Sequence, residues 1–375
     1  MAAPFRTQRS SLPFSTYNGH IAVIWNNATI VWDLIHFSLY FYHSGEWSLK
    51  KTIGYPRLIY GTNGSSMRGY VTAEVLNDKM IMLDAREGTI FSLDLTTWVW
   101  EEHKPEGQPP PESFGICSWL HKQKIYFFGG RNWRHGRSSR LFCYDYLKNC
   151  WEWPTQAGDI PPPRLQPKTI ISGDTVFLFG GGRNDLHILN MEDMIWKKVH
   201  DAIPFEARMA PVGRVQYTTF TLISPSTAVF YGSYYDYDHN CHDDSWLLDL
   251  NGAKQFKDPS LIWSRIPNHH HVFLHEAVLE PVSQSLWVIG GFDGDRDAFT
   301  SDLLKMSCNI PSLKNIAIDH VARSIKKRDQ RLLPNELPQN ISKEIEDYRS
   351  KMGDVHDICS TKEECQFCQQ NRTEN

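Results

Sequence analysis

Residues 176–196, VFLFGGGRNDLHILNMEDMIW, set the pattern for most of the chain. A run of bulky apolar residues reads as a strand and ends in Gly180, Gly181 and Gly182. A polar turn leads into a second short strand carrying Leu186 and Ile188, and Trp196 stands about fifteen residues beyond the glycines. Glycines at a strand end predict a bulge or a close backbone approach that a Cβ would obstruct. A Trp closing the unit supplies a large surface for packing one sheet on the next.

The pattern recurs with a period of about 50 residues, which points to a repeat architecture. The first copy is HIAVIWNNATIVW with Trp47, and Asp33-Leu34 stand in the glycine positions. The second is YVTAEVLNDKMIML, then IFSLDL and Trp98, with Asp84-Ala85. The third, KIYFFGGRNW with LFCYDY and Trp151, keeps Gly129-Gly130. After the opening stretch, the fifth is TAVFYGSYYDYD with SWLLDL and Trp263, and Gly232-Ser233 replace the doublet. The sixth, SLWVIGGFDGDRD with SDLLKMSC, has Gly290-Gly291 and no closing Trp. Proline-rich connectors (Pro109, Pro110 and Pro111; Pro161, Pro162 and Pro163) fall between copies, as inter-repeat loops should.

Each unit supplies about four short strands, and one such sheet cannot bury both its faces alone. Radial packing solves this and predicts an all-β, six-bladed β-propeller. The glycine doublet with its downstream Trp resembles the kelch repeat, and the resemblance covers residues 18–308. Residues 1–17 read as an N-terminal extension.

Beyond Cys308 the alternation stops. PSLKNIAIDHVARSIKKRDQR places Leu313, Ile316, Ala317, Val321 and Ile325 on one helical face, with basic residues towards its end and Ser312 as N-cap. A second amphipathic helix follows LLPNELP, so that residues 309–351 read as helical and the polar residues 352–375 as disordered.

Composition changes this picture little. Hydrophobic residues at 41% and charged residues at 22% are those of a globular chain, and 13% aromatics favour sheets. A net charge of −4 gives no reason to expect nucleic acid or a membrane as partner. No apolar run suits a signal peptide or a span, and eight scattered cysteines do not make a disulfide scaffold. The expectation is a soluble protein of the nucleus and/or cytoplasm.

Candidate chemistry is sparse. His269, His270, His271 and His275 read as a polar connector, because consecutive histidines on a loop cannot all face one metal. The loop YYDYDHNCHDD lacks metal-ligand spacing and reads as a solvated turn. His356, Cys359, Cys365 and Cys368 lie in the polar tail and are weak zinc candidates. A copper radical oxidase shares the kelch fold, but its Tyr and His set has no match. Neither cofactor nor metal is expected, and the chain reads as a non-enzyme.

Surfaces carry more. Loops after the glycine pairs lie on one propeller face and offer Arg131, Trp133, Arg134 and Arg137, then Arg183, then Tyr234 and Tyr235, then Arg296. Arg214 and Tyr217 precede the fifth copy. Guanidinium and aromatic groups converging on a concavity suit a peptide with a carboxylate, because guanidinium donates two parallel hydrogen bonds. Arg131, Trp133, Arg183, Arg214 and Tyr217 are therefore the candidate substrate-binding residues.

Leu313, Ala317 and Val321 resemble the elongin-binding box, with Ala where the family usually has Cys or Ser. Leu333, Pro334 and Leu337 resemble the cullin box of receptors that use the type-2 cullin. After a kelch propeller, this order resembles the substrate receptors of elongin/type-2 cullin ubiquitin ligases that hold a substrate's C-terminus on the propeller face. The resemblance implies elongin B/C, a type-2 cullin and a RING protein as partners. Arg183 is the nearest match to the family's Arg-bearing loop, which here is shorter, and Gly213-Arg214-Val215-Gln216-Tyr217 replaces the family's Gly-Arg-Ser-Trp pattern. A kelch scaffold for cytoskeletal or vesicle partners, with no ligase role, is the alternative.

Overall fold

The computed structural model describes residues 7–14, 20–56, 71–201, 211, 218–235, 241–243, 245–266 and 270–307. Among them, six sheets of four or five strands follow one another along the chain, with two smaller sheets on loops. The first comprises His20–Trp25, Ala28–Asp33, Ser38–His43 and Glu46–Lys50, and the second Val71–Leu76, Lys79–Asp84, Thr89–Asp94 and Trp100–His103. The third is Phe114–His121, Lys124–Asn132, Leu141–Asp145 and Cys150–Glu152, and the fourth Pro167–Ser172, Thr175–Gly180, Leu186–Asn190 and Ile195–His200. The fifth is Thr219–Ser224, Thr227–Tyr231, Trp246–Asp249 and Trp263–Arg265. Two one-turn helices, Leu250–Lys254 and Pro259–Ile262, interrupt that last sheet before its outer strand; Asp249 and Asp258 cap them.

The first strands of successive sheets pack side by side, and the first strand of the sixth sheet returns to that of the first. This is the radial arrangement of a β-propeller: each sheet covers the next, and no sheet has to bury two faces by itself.

The sixth sheet corrects the reading of the N-terminus. It consists of Glu276–Glu280, Ser285–Ile289, Asp302–Ser307 and, as its outer strand, Thr7–Ser11. The ring thus starts at Thr7, inside the stretch expected to be an extension. Strand Thr7–Ser11 runs antiparallel to Asp302–Ser307, pairing Thr7 with Met306 and Ser11 with Asp302. Arg9 forms ion pairs with Asp293 and Asp302, and Leu12 and Phe14 enter the apolar layer between the sixth and first sheets.

The closing Trp also needs one correction. In the third, fourth and fifth sheets Trp151, Trp196 and Trp263 pair with Tyr144, Leu189 and Leu248, each the next-to-last residue of its strand. In the second sheet that register belongs to Trp100, which pairs with Leu93, and not to Trp98. Trp98 sits in the preceding turn at φ +61° and packs edge-on against Phe41, at 5.6 Å between ring centroids. In the sixth sheet Thr7 takes the register of the missing Trp.

Three of these indoles meet a ring of the neighbouring sheet. Trp100 lies 5.1 Å from Trp32, Trp196 5.3 Å from Phe128, and Trp263 5.0 Å from Phe179. Phe128 and Phe179 are the residues immediately before a glycine pair, so one local motif furnishes both sides of the joint. Burying such a side chain contributes roughly 1.5–3 kcal/mol.

Candidate functional site

The glycine doublets do what a Cβ would prevent. Gly129 and Gly181 have φ of +81° and +76°, a region costly for other residues. A Cβ on Gly129 would lie 3.1 Å from the carbonyl of Arg164, and one on Gly181 3.0 Å from that of Leu165. Both glycines therefore press against the linker between the third and fourth sheets. Gly130 N–H donates to the Arg164 carbonyl at 3.1 Å, and Gln166 N–H to the Gly115 carbonyl at 2.7 Å. Where the doublet is degraded, an aspartate substitutes a side-chain cap. Asp33 Oδ1 accepts from Ile35 N–H at 2.8 Å, and Asp84 Oδ1 from Arg86 N–H at 3.0 Å.

This packing buries Arg164 completely. Its guanidinium donates to the carbonyls of Pro162 and Gly180, at 3.2 and 3.1 Å, and to Asp185 Oδ2 at 2.9 Å. Burial pushes its pKa down; Asp185 opposes this, and the nearby charge of Arg183 acts with burial. The Arg164–Asp185 pair thus fixes both ends of the loop that carries Arg183. His187 lies with Nδ1 3.7 Å from Asp185 Oδ2, and burial holds its pKa below the ordinary value.

On the third sheet, Arg131 and Trp133 follow Gly130, and Gly136–Arg137 turns back to pair with that strand. Asn132 shapes the turn. Its Oδ1 accepts from the backbone of Arg134 and His135 at 2.9 and 3.1 Å, while its Nδ2 donates to the Glu112 carbonyl at 2.7 Å. The Arg131 guanidinium lies over the Trp133 ring, 4.7 Å from its centroid, and the indole is 58% exposed. Arg137 Nη1 comes within 3.5 Å of the point where a Cβ on Gly182 would stand, so the third sheet's hairpin touches the loop bearing Arg183.

Of the expected substrate-binding residues, the structure brings Arg131, Trp133 and Arg183 to neighbouring, exposed loops. Arg214 and Tyr217 lie outside the described residues, as do Leu313, Ala317, Val321, Leu333, Pro334, Leu337 and the cysteines of the tail. Arg296 is engaged by Asp293 and Asp302 instead of being left for a ligand. His275 is buried, its Nε2 3.1 Å from Thr219 Oγ1, and His271 Nδ1 lies 2.6 Å from Asp295. Among the described residues no three His, Cys, Asp or Glu side chains gather in a way that could hold a metal ion.

Between the first strands lies a cavity of about 200 Å³ whose polar lining includes Thr72, Glu74, Ser118, Lys168, Thr169 and Glu276. Ser118 Oγ donates to Glu74 Oε1 at 2.8 Å, yet burial outweighs that bond and pushes the Glu74 carboxyl up to about 7. Sequence reasoning missed this group, along with Arg164 and Arg140. The Arg140 guanidinium stands 5.8 Å from the centroid of the Trp153 ring.

A ring of glycine-pinned sheets, each covering the next and carrying a rim of loops, is the architecture of a β-propeller. The comparisons agree. Residues 84–215 match the family model described as the KLHDC2/KLHL20/DRC7 Kelch-repeats domain. Kelch domain-containing protein 1 of Mus musculus is 24% identical over 288 residues, covering 66% of this chain and 67% of that protein. Kelch domain-containing protein 2 of Bos taurus is 25% identical over 228 residues, covering 54% of this chain and 52% of its own. The human Kelch domain-containing protein 1 is 26% identical over 223 residues, and the chain spans 54% of its length. Among solved structures, YjhT has the same fold with a TM-score of 0.54 at 14% identity, over 79% of this chain and 96% of that one. Residues 84–215 thus carry repeats of the kelch type, and the chain is similar to the kelch domain-containing proteins.

Proposed function

We propose that the six sheets are the blades of a complete propeller, and that this protein is the non-catalytic substrate-recognition subunit of a cullin–RING ubiquitin ligase. In this reading the rim binds the C-terminal peptide of a substrate. Leu313, Ala317 and Val321 recruit elongin B/C, and Leu333, Pro334 and Leu337 a type-2 cullin. The observation that carries the reading is the rim itself: Arg183 is exposed on a loop fixed by the buried Arg164–Asp185 pair, and Arg137 reaches that loop from the neighbouring sheet. Guanidinium groups held without reorganisation can clamp a terminal carboxylate, each charged hydrogen bond contributing about 1.5–3 kcal/mol. The match to the KLHDC2/KLHL20/DRC7 domain model and the order of the two boxes support the ligase part.

Copurification from cells, followed by mass spectrometry, tests it. Elongins B and C should accompany the wild-type protein and be lost with Leu313→Asp. Recovery of both in undiminished amount with that variant would sink the ligase reading and leave a kelch scaffold for which residues 309–351 are dispensable. A peptide that binds equally well as free acid and as amide would remove the terminal carboxylate from the recognition.

A further inference from the structure

The stretch 129–141, GGRNWRHGRSSRL, holds four arginines and no acidic residue. Arg131, Arg134, Arg137 and Arg140 are all exposed, and Arg183 on the adjoining loop makes a fifth. Elsewhere the fold supplies arginines with carboxylates: Arg9 has Asp293 and Asp302, Arg86 has Asp84, Arg164 has Asp185, and Arg296 has Asp293 and Asp302. None of the five on this rim forms an ion pair with a described residue. Asp185, the acid on the loop with Arg183, is already taken by the buried Arg164.

The cluster costs the fold something. Arg131 and Arg137 are direct cross-strand partners, and like charges placed opposite one another are destabilising. An external anion reverses that sign. The charge is also spread out: Arg131 rests on Trp133 and Arg140 on Trp153, so two separate indoles hold two guanidiniums in place. Several single charges along an extended chain match this layout better than one compact dianion does. A nucleic acid is the weaker match, because Arg131 already covers a face of Trp133 needed for base stacking, and the chain's net charge is −4.

We infer that the rim formed by Arg131, Arg134, Arg137, Arg140 and Arg183 docks an acidic peptide segment, binding several of its side-chain carboxylates at once. This rests on the proposed reading for the choice of face and adds to it side chains that precede the terminus. Long-range attraction by such a rim raises the association rate and makes binding salt-dependent.

The test is fluorescence anisotropy on the full chain with four labelled peptides: a glutamate-rich sequence and its glutamine counterpart, each as free acid and as C-terminal amide. The glutamate peptide should bind about tenfold tighter than the glutamine one. The Arg131→Ala/Arg137→Ala variant should lose roughly three- to tenfold for the glutamate peptide, and under about twofold for the other. Arg134→Gln/Arg140→Gln provides a second variant, with circular dichroism confirming that both fold. Equal affinity for the glutamate and glutamine free acids overturns the inference while sparing the terminal-carboxylate reading. Tight binding of the glutamate peptide as acid and amide alike supports the inference and overturns that reading. A single-stranded oligonucleotide, or a singly phosphorylated glutamine peptide, that outcompetes the glutamate peptide overturns it in favour of that partner. Absence of binding to all four peptides also overturns it.

Discussion

Two groups of guanidinium groups in this ring meet opposite fates. At the seam, Arg9 and Arg296 share Asp293 and Asp302, with Asp293 almost fully buried. On the rim of the third and fourth sheets, Arg131, Arg137 and Arg183 face solvent without a carboxylate among the described residues. The side-chain chemistry is the same; the difference lies in whether the chain also supplies the anion. Where it does, arginine ties together strands distant in sequence. Where it does not, the charge is available to a second molecule, and the fold bears the repulsion.

Substitutions can break that contrast. The largest effect should come from Arg164→Met, which leaves Asp185 buried without its cation; a loss of about 3–5 kcal/mol is expected in urea unfolding. A loss under about 1 kcal/mol would show that the pair does not hold the loop. Next, Arg9→Ala uncouples the N-terminal strand and should cost about 2 kcal/mol, read as a lower midpoint, while peptide affinity stays unchanged. A change in affinity there would erase the distinction between seam and rim.

Acid should act on the side of the contrast where charge is already internal. Burial lowers the pKa of His187 and of His200, whose Nε2 accepts from Trp263 Nε1 at 3.1 Å. Below about pH 6.5 the unfolded chain takes up protons that these native imidazoles refuse, so stability falls as pH drops from there towards the depressed values. His187→Gln should flatten part of that slope; an unchanged slope would mean that His187 is protonated as readily in the fold as out of it. The smallest effect belongs to the rim. Arg137→Ala should shift stability by no more than about 0.5 kcal/mol, with any gain reflecting relief from Arg131. A clear destabilisation would assign Arg137 to the fold rather than to a partner.

The repeat was legible because its determinants are local: an apolar strand, a doublet needing positive φ, and an indole at a set interval. Trp98 and Trp100 were confused because two tryptophans two positions apart both fit the interval, and only strand register separates them. The seam was illegible for a different reason. TQRSS is polar, as suits an outer strand with one exposed edge, and its partner lies almost the whole ring away. At the site, Arg131, Trp133 and Arg183 could be read from their position after glycines. Arg164 could not, because PPPRLQP gives no sign that a linker passing beneath two glycine pairs will enclose an arginine.

The seam also sets an order of events during synthesis. Strand Thr7–Ser11 emerges about 290 residues before its partner Asp302–Ser307. At roughly 5–20 residues per second, it waits about 15–60 s with its hydrogen-bonding edge unmatched. Five sheets can form from neighbouring strands as these emerge, but the sixth can add its outer strand only after Asp302–Ser307 has been made. The polar sequence that hid this strand from pattern reading is therefore also what keeps it from pairing wrongly in the interval, since few apolar side chains reward an incorrect partner.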